Sequence, residues 1–277
     1  MTDRHLYQRP ERLEDALAIL ASGNWQVVAG CTDVFPATQR KLLDGPTLDI
    51  TGIASLRGID RTDDGFRVGA TTTWTDIIKA DLPVAFDGLK LAACEVGAMQ
   101  IQNRGTLAGN LCNASPAADG VPPLLTLDAE VEIRRTDATR RMPLAAFITG
   151  PRETALHAGE LVTAIRIPKA SLQGHGHFRK LGARKYLVIS VAMTAARITL
   201  QDGVITQAAL AIGSCGPVAT RLPKVEAQLI GQVYDPDVIT DLIVESAINP
   251  IDDIRADAFY RNVSAAELLR RTVETLV

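Results

Sequence analysis

Apolar residues in the first fifty positions follow a helical spacing in some segments and an extended spacing in others. Residues 11–21 place four apolar side chains on one face, which predicts a helix. Two short apolar runs, residues 26–29 and 48–50, are typical of strands. The segment 34–42 between them favours a helix, because its proline falls in the first turn, where it is tolerated. This order predicts a small βαβ unit as the first subdomain, residues 1–54.

The middle of the chain mixes short strands with helices and one long polar segment. The sequence Thr73-Trp-Thr-Asp76 matches a capping box and predicts that a helix begins there. Residues 89–96 form a second apolar helix candidate. Residues 97–123 carry glycine, asparagine, serine and proline at high density with little periodicity, which predicts a long functional loop. The strand-like runs of this region are 66–68, 129–134 and 161–167. The pattern predicts a second subdomain, residues 55–170.

The last third of the chain begins after a polar, glycine-containing segment, residues 169–176, which is the best domain boundary in the sequence. Gln201-Asp-Gly203 between two apolar runs is a hairpin signal. Ser264 with Glu267 matches a capping box for the last helix. The predicted elements are strands 186–200 and 204–212 and helices 222–230, 236–248 and 265–277. The C-terminal domain, residues 171–277, is therefore expected to be an antiparallel sheet with helices on one side, and the fold class of the chain is α+β.

Composition and charge exclude several classes of protein. The 277 residues include 29 basic and 32 acidic side chains, a net charge of −3, and no basic block longer than a pair. A nucleic-acid-binding protein usually carries a concentrated basic face, so no nucleic acid partner is expected. No apolar run approaches the roughly 18 residues of a membrane span, and the first nine residues are too polar for a secretion signal. We therefore expect a soluble, cytoplasmic protein.

Cysteines and histidines give no sign of a metal site. The four cysteines lie far apart, at positions 31, 94, 112 and 215, and no pair has the Cys-x-x-Cys spacing of a zinc or iron–sulfur site. The only close histidine pair is His175-Gly-His177, which we interpret as a polar turn. We expect the thiols to be packed or idle and expect no metal in this chain.

One stretch that is too specialised to be a simple connection is Val27-Val-Ala-Gly-Cys-Thr-Asp33, a strand running into a glycine and small polar residues. Gly30 lets a ligand approach the backbone, and consecutive N–H groups at such a turn can hold phosphate oxygens. In the alternative, Gly30 is only a turn, and Thr32 or Asp33 caps the helix that follows. The residues alone leave both interpretations open.

A second specialised stretch, residues 100–119, places Gly105 and Gly109 on either side of Thr106 and adds asparagine, serine and aspartate. Side-chain amides and hydroxyls at this density suit a polar ligand. The alternative is a long loop that satisfies its own backbone through Asn and Ser turns. Neither stretch has the Rossmann or Walker glycine pattern, and no serine lies in a G-x-S-x-G elbow.

Five motifs, in order along the chain, together resemble one known family. They are Ala29-Gly-Cys-Thr-Asp33, Gln100-Ile-Gln-Asn-Arg-Gly-Thr-Leu-Ala-Gly-Asn110, Ala114-Ser-Pro-Ala-Ala-Asp119, Leu161-Val-Thr-Ala-Ile-Arg-Ile-Pro168 and Phe178-Arg-Lys-Leu-Gly-Ala-Arg184. They are similar to motifs of the FAD-binding medium subunits of molybdenum hydroxylases, the flavoproteins of xanthine dehydrogenase and carbon monoxide dehydrogenase. The resemblance implies an FAD-binding fold of the vanillyl-alcohol-oxidase (PCMH) type in two subdomains, followed by a carbon monoxide dehydrogenase flavoprotein-like C-terminal domain.

The resemblance also implies which residues bind FAD. A first loop would wrap the pyrophosphate with backbone amides of Gln26, Val27, Val28, Ala29, Gly30, Cys31, Thr32 and Asp33. A second phosphate-side loop would comprise Gly105, Thr106, Leu107, Ala108, Gly109 and Asn110, with the Thr106 hydroxyl and the Asn110 amide as donors. Asp119 would contact the nucleotide portion, and Leu161 would lie beside the flavin. Phe178 and Lys180 would close the isoalloxazine pocket, where a cation stabilises a reduced, anionic ring.

Two positions depart from the family pattern. The first loop usually has a second glycine where Cys31 stands, and the second loop usually has a glycine where Ala108 stands. Each substitution adds a Cβ where backbone meets phosphate, so weaker FAD binding is expected wherever φ must be positive.

By this resemblance the protein is an oxidoreductase subunit that transfers electrons. A molybdenum cofactor on a large subunit would oxidise the substrate, and two-iron two-sulfur clusters on a small subunit would pass electrons to FAD here. NAD, a quinone or another acceptor would then receive them, so no catalytic residue is expected in this chain. The alternatives are a self-sufficient FAD-dependent oxidoreductase with its own substrate and a scaffold subunit that has lost flavin.

Overall fold

The computed structural model describes residues 6–39, 43 and 45–277. The first subdomain is a three-stranded parallel sheet in the order β1-β3-β2, with α1 packed against it. Its strands are β1 (Tyr7–Gln8), β2 (Gln26–Val28) and β3 (Thr47–Asp49), and its helices are α1 (Leu13–Ala21) and α2 (Val34–Ala37). The predicted apolar face of α1 is confirmed, since Leu13, Ala16, Leu17 and Leu20 are all buried. The βαβ unit is therefore present, with β1 as a strand that the pattern did not predict.

The helix predicted over residues 34–42 is too long. It ends at Ala37, because Thr38 already has an extended backbone with φ −87° and ψ 135°. Residues 40–42 of that prediction lie outside the described residues.

A five-stranded antiparallel sheet in the order β4-β5-β10-β6-β7 forms the centre of the second subdomain. Its strands are β4 (Ile59–Thr62), β5 (Gly65–Gly69), β6 (Glu130–Arg134), β7 (Thr139–Pro143) and β10 (Leu161–Pro168), and a separate pair consists of β8 (Ile148–Gly150) and β9 (Glu153–Thr154). The helices are α3 (Trp74–Lys79), α4 (Asp87–Glu95), α5 (Met99–Gln102), α6 (Leu107–Asn113), α7 (Val121–Thr126) and α8 (Leu144–Phe147). They enclose a core that includes Trp74, Phe86, Leu89, Leu107 and Leu111.

The long loop predicted over residues 97–123 is wrong, because α5, α6 and the start of α7 lie within it. These helices have only four to seven residues, too short to show a hydrophobic period. Local signals were present nonetheless: the Thr106 side chain caps α6, and prolines occupy the first turn of α7. The capping box at Thr73 and Asp76 is confirmed at the start of α3.

The C-terminal domain is a four-stranded antiparallel sheet with helices packed on it, as predicted. Its elements are β11 (His175–Leu181), β12 (Ala192–Gln201), β13 (Val204–Gly213), β14 (Thr220–Arg221), α9 (Pro223–Leu229), α10 (Asp241–Glu245) and α11 (Ala258–Glu274). The hairpin between β12 and β13 is confirmed, with positive φ at both Asp202 and Gly203. The division of the chain at residues 54 and 170 stays a prediction.

Several C-terminal predictions need correction. The last helix begins at Ala258, because Asp257 accepts a hydrogen bond from the Tyr260 N–H and caps it there, which places Ser264 inside the helix. The histidine pair predicted to form a turn lies in β11. The strand predicted over residues 186–200 corresponds to β12, which begins at residue 192. Leu187 has a φ of 52°, which breaks the extended run before it. The helix predicted over residues 236–248 is a 3-10 turn followed by the short α10.

Candidate functional site

A cleft of about 730 Å³ lies where the three parts of the chain meet. Its walls come from the first loop (residues 27–33), the second loop (residues 105, 106 and 108–110), the turn before α7, the start of β10 and the segment 187–189. This volume falls within the roughly 300–1,000 Å³ that is typical of cofactor sites.

The first loop leaves the carboxyl end of β2 and contacts the second loop directly. A Cβ at Gly30 would overlap the backbone carbonyl of Arg104, so glycine is required there by the close approach of the two loops. Cys31 has a φ of 61°, in the left-handed region that favours glycine. Asp33 occupies the N-cap position of α2, but its side chain makes no capping hydrogen bond. The alternative that Asp33 caps the following helix is therefore wrong, and capping by Thr32 stays a prediction.

The second loop is held by side-chain hydrogen bonding and by a helix. The Thr106 hydroxyl oxygen accepts a hydrogen bond from the Gly109 N–H at 3.1 Å. A Cβ at Gly109 would lie 2.6 Å from that oxygen, so this glycine is needed to keep the cap. Ala108 lies inside α6, is buried and has no positive φ. The second loop therefore accommodates its extra Cβ without the strained backbone found at Cys31.

One polar side-chain atom near the second loop is unsatisfied. Asn110 lines the cleft, and its side-chain oxygen is buried with no hydrogen-bond partner among the residues that the structure describes. A buried acceptor of this kind costs free energy unless a ligand or water satisfies it. FAD carries ribityl and ribose hydroxyls that can donate to such an oxygen, so the cleft fits this cofactor in both volume and hydrogen-bonding chemistry.

One charged contact in the cleft is a buried ion pair. The Lys180 Nζ lies 2.6 Å from a carboxylate oxygen of Asp119, and the Ser190 hydroxyl donates to the other oxygen at 2.7 Å. Only 7% of the Lys180 side chain and 9% of the Asp119 side chain are exposed. Burial raises the pKa of Asp119, while the ammonium and the hydroxyl oppose that shift. Since the two residues touch, they lie at the same position along the cleft.

Three of the predicted site residues do not line the cleft. Phe178 packs in a separate cluster with Ala92, Met193 and Ala195, so it does not close a pocket directly. Leu107 belongs to the second loop but is fully buried in the core, and Gln26 is exposed at the start of β2. The cleft brings together the others, which are Val27, Val28, Ala29, Gly30, Cys31, Thr32, Asp33, Gly105, Thr106, Ala108, Gly109, Asn110, Asp119, Leu161 and Lys180.

Sequence reasoning also missed residues of this site. Trp74, from the start of α3, and Arg152, from the β8–β9 hairpin, both line the cleft. Glu160 lines it too and is held by Arg140 at 2.7 Å. Arg255 arrives from a turn before α11. Only Trp74 had a local signal, the capping box around it; the others come from distant segments whose meeting no short motif encodes.

Within residues 6–39, 43 and 45–277, no group of three or more His, Cys, Asp or Glu side chains is arranged to hold a metal ion. No helix among the same residues is long and apolar enough to cross a bilayer.

Comparison with known proteins agrees with the fold. The FAD binding domain in molybdopterin dehydrogenase matches residues 2–170, and the CO dehydrogenase flavoprotein C-terminal domain matches residues 176–276. The chain therefore belongs to the family of FAD-binding subunits of molybdenum hydroxylases. It is an oxidoreductase subunit with FAD as its cofactor, and its fold is the α+β flavoprotein fold expected from the resemblance.

Individual relatives share most of their length with this chain. The glyceraldehyde dehydrogenase medium chain of Sulfolobus acidocaldarius is 31% identical over 260 residues, covering 92% of each chain. The xanthine dehydrogenase FAD-binding subunit of Escherichia coli is 32% identical over 232 residues, covering 82% of this chain and 79% of that one. The solved structure of reconstituted CO dehydrogenase from Oligotropha carboxidovorans superposes with a TM-score of 0.90 at 26% identity, covering 100% of this chain and 98% of that one.

Proposed function

We propose that this subunit passes electrons from two-iron two-sulfur clusters on a small subunit, through its FAD, to NAD, a quinone or another acceptor. A large subunit would carry the molybdenum cofactor and the substrate. FAD supplies the redox chemistry, since flavins take up electrons singly and release them in pairs, while the protein binds and orients the cofactor. The observation that carries the proposal is the cleft between the two loops, closed at one point by the buried Asp119–Lys180 pair.

The residues of the cleft would divide the work of binding. We assign the backbone of the first loop and the hydroxyl of Thr106 to the pyrophosphate, and the amide side chain of Asn110 to a hydroxyl of the cofactor. Leu161 would pack beside the flavin as part of an apolar wall. Lys180 would face the flavin ring, held in place by Asp119 and Ser190, so Asp119 would serve the ring end rather than the nucleotide end. This assignment follows from the contact between Asp119 and Lys180.

The state of the charged groups supports electron transfer over acid–base chemistry. The ionisable side chains in the cleft are largely paired: Asp119 with Lys180, Glu160 with Arg140, and Arg255 with Asp253 at 2.8 Å. Paired groups act as fixed charges that set the potential of a cofactor. A buried cation near the ring would lower the free energy of the reduced, negatively charged ring.

The names of the relatives support the proposed assembly. They include medium chains of carbon monoxide dehydrogenases and one subunit of a 6-hydroxypseudooxynicotine dehydrogenase complex. A medium chain implies a larger and a smaller one, so we propose a heterotrimer with a molybdenum subunit and an iron–sulfur subunit.

The first test is an absorbance spectrum of the purified full chain, with identification of any cofactor released on denaturation. Bound FAD, and co-purification with one molybdenum-containing and one iron-containing chain, would support the proposal. A colourless chain that does not take up added FAD would contradict it. A single chain that oxidises an organic substrate without partners would instead favour the self-sufficient flavoenzyme.

A second test addresses the assignment of Lys180. In Lys180→Met the midpoint potential of bound FAD should fall by roughly 30–60 mV, because a cation near the ring is lost. Lys185→Met is the matched control, since Lys185 is exposed and does not line the cleft. An unchanged potential in Lys180→Met would remove Lys180 from the ring end of the site.

A further inference from the structure

Trp74 lies beneath the cleft in a position that the binding scheme above does not use. It is 1% exposed, yet it lines the cleft, and it is the first residue of α3. The capping box of Thr73 and Asp76 fixes the backbone from which the indole ring extends.

The two edges of the indole ring lie against two different glycines. A Cβ at Gly105, in the second loop, would lie 3.2 Å from Cδ1 and 3.3 Å from Nε1, on the five-membered ring. A Cβ at Gly120 would lie 2.5 Å from Cη2 and 3.4 Å from Cζ3, on the six-membered ring. The indole thus spans the whole gap between the second loop and the residue next to Asp119.

Backbone geometry does not explain the glycine at position 120. Gly120 has a φ of −75°, which any residue adopts. The nearest obstacles to a Cβ there are the indole ring and the side-chain oxygen of Asn110, at 2.9 Å. A side chain at Gly120 is therefore excluded mainly by the indole of Trp74 and, less severely, by the Asn110 side-chain oxygen.

The second loop is attached to the same segment by its backbone. The Trp74 N–H donates to the Gly105 carbonyl at 3.1 Å, and the Leu107 N–H donates to the Thr72 carbonyl at 2.9 Å. These backbone hydrogen bonds fix the position of Trp74 relative to the second loop. The six-membered ring of the indole determines how far from that loop Gly120, and with it Asp119 and Lys180, can lie.

We infer that Trp74 is a positioning residue, a spacer that sets the distance between the second loop and the Asp119–Lys180 pair and so matches the cleft to the length of its cofactor. The inference rests on the proposed binding of FAD in this cleft. Trp74 acts on the cofactor through Gly105 and Gly120 rather than by chemistry of its own.

The test is a double-substitution cycle on the full chain. Gly120→Ala alone should weaken FAD binding by about tenfold, because the added methyl group overlaps the outer edge of the indole. Phenylalanine lacks that outer edge. In the Trp74→Phe background only the Asn110 side-chain oxygen, 2.9 Å from the added methyl group, still opposes it. The same Gly120→Ala change should therefore weaken FAD binding by only about threefold.

Gly105→Ala is the matched control. Its Cβ would also meet the Ile101 carbonyl at 3.1 Å, and it faces the ring edge that phenylalanine retains. Its effect on FAD affinity should be similar in the tryptophan and phenylalanine backgrounds. The thermal unfolding midpoints of all variants without FAD provide a second readout. Trp74→Phe should restore the midpoint that Gly120→Ala lowers, and it should not restore the midpoint of Gly105→Ala.

A spectroscopic arm uses the fact that the chain has two tryptophans, Trp25 and Trp74. In a Trp25→Phe variant the remaining emission comes from Trp74, and FAD in the cleft should quench it strongly. If the wild type binds FAD but Gly120→Ala lowers FAD affinity equally in the tryptophan and phenylalanine backgrounds, Trp74 is not a spacer. The proposed function would then still stand. A wild-type chain that binds no FAD would overturn both.

Discussion

The first and second loops, which meet at the cleft, are fixed in their conformations by different interactions. The first loop turns through Cys31 in a left-handed conformation, and the helix after it has no side-chain cap. The second loop is fixed by the Thr106 cap and by packing on Trp74. Strain and close approach shape the first loop, while hydrogen bonding and packing shape the second.

This difference explains why two similar departures from the family pattern have different consequences. Cys31 and Ala108 each place a small side chain where the resemblance to the family implies glycine. The expected cost of the extra Cβ applies at Cys31, where φ is 61°, and does not apply at Ala108, which is helical. Backbone conformation, rather than side-chain size, decides the effect of each substitution.

The largest predicted effect is at the contact between the loops. Gly30→Ala should lower the free energy of unfolding by about 3 kcal/mol and abolish FAD binding, because its methyl group overlaps the Arg104 carbonyl. Gly23→Ala is the control, since its nearest neighbour would be 3.9 Å away. Urea unfolding and FAD titration check both variants, and equal behaviour of the two would show that the loops do not rely on this contact.

A second prediction concerns Glu160, which lines the cleft next to the start of β10. Hydrogen bonding from Arg140 lowers the pKa of Glu160 to about 2 from its ordinary value of 4.5. The carboxylate therefore contributes up to about 3 kcal/mol of stability, present above pH 4.5 and lost as the pH falls toward 2. Urea unfolding of the wild type and Glu160→Gln should show a stability difference that shrinks across this window. A difference that stays constant with pH would contradict the pair's role.

The capping contrast between the loops is directly testable. Thr106→Ala should cost about 1 kcal/mol of unfolding free energy, because it removes the acceptor for the Gly109 N–H. Asp33→Ala, at the corresponding position of the first loop, should change it by less than about 0.5 kcal/mol, because that side chain makes no capping bond. Similar losses in the two variants would break the comparison.

The smallest predicted changes in unfolding free energy come from placing glycine at positions 31 and 108, and the two changes should have opposite signs. Cys31→Gly should raise the unfolding free energy by about 0.5 kcal/mol, since relief of left-handed strain slightly exceeds the entropy that glycine adds to the unfolded chain. Ala108→Gly should lower it by about 1 kcal/mol, as glycine does in a helix. FAD affinity should rise only for Cys31→Gly. The same sign for both would show that backbone conformation is not the deciding factor.

Features set by neighbouring residues were predictable from the sequence. The face of α1, the capping box at Thr73 and the hairpin at Asp202 depend on contacts within a few positions, so short patterns report them. The short helices between residues 97 and 123 were missed because their lengths give no measurable period. The family was identified from ordered motifs, and most of the site residues that the resemblance implied do line the cleft.

Other properties of the site were decided by tertiary structure alone. The positive φ of Cys31, the burial of Phe178 away from the cleft and the arrival of Arg255 depend on how whole elements pack. The contact between Asp119 and Lys180 joins residues 61 positions apart. Such contacts arise when sheets and helices from separate segments bury their apolar faces together, and no local propensity encodes which polar side chains that packing brings into reach.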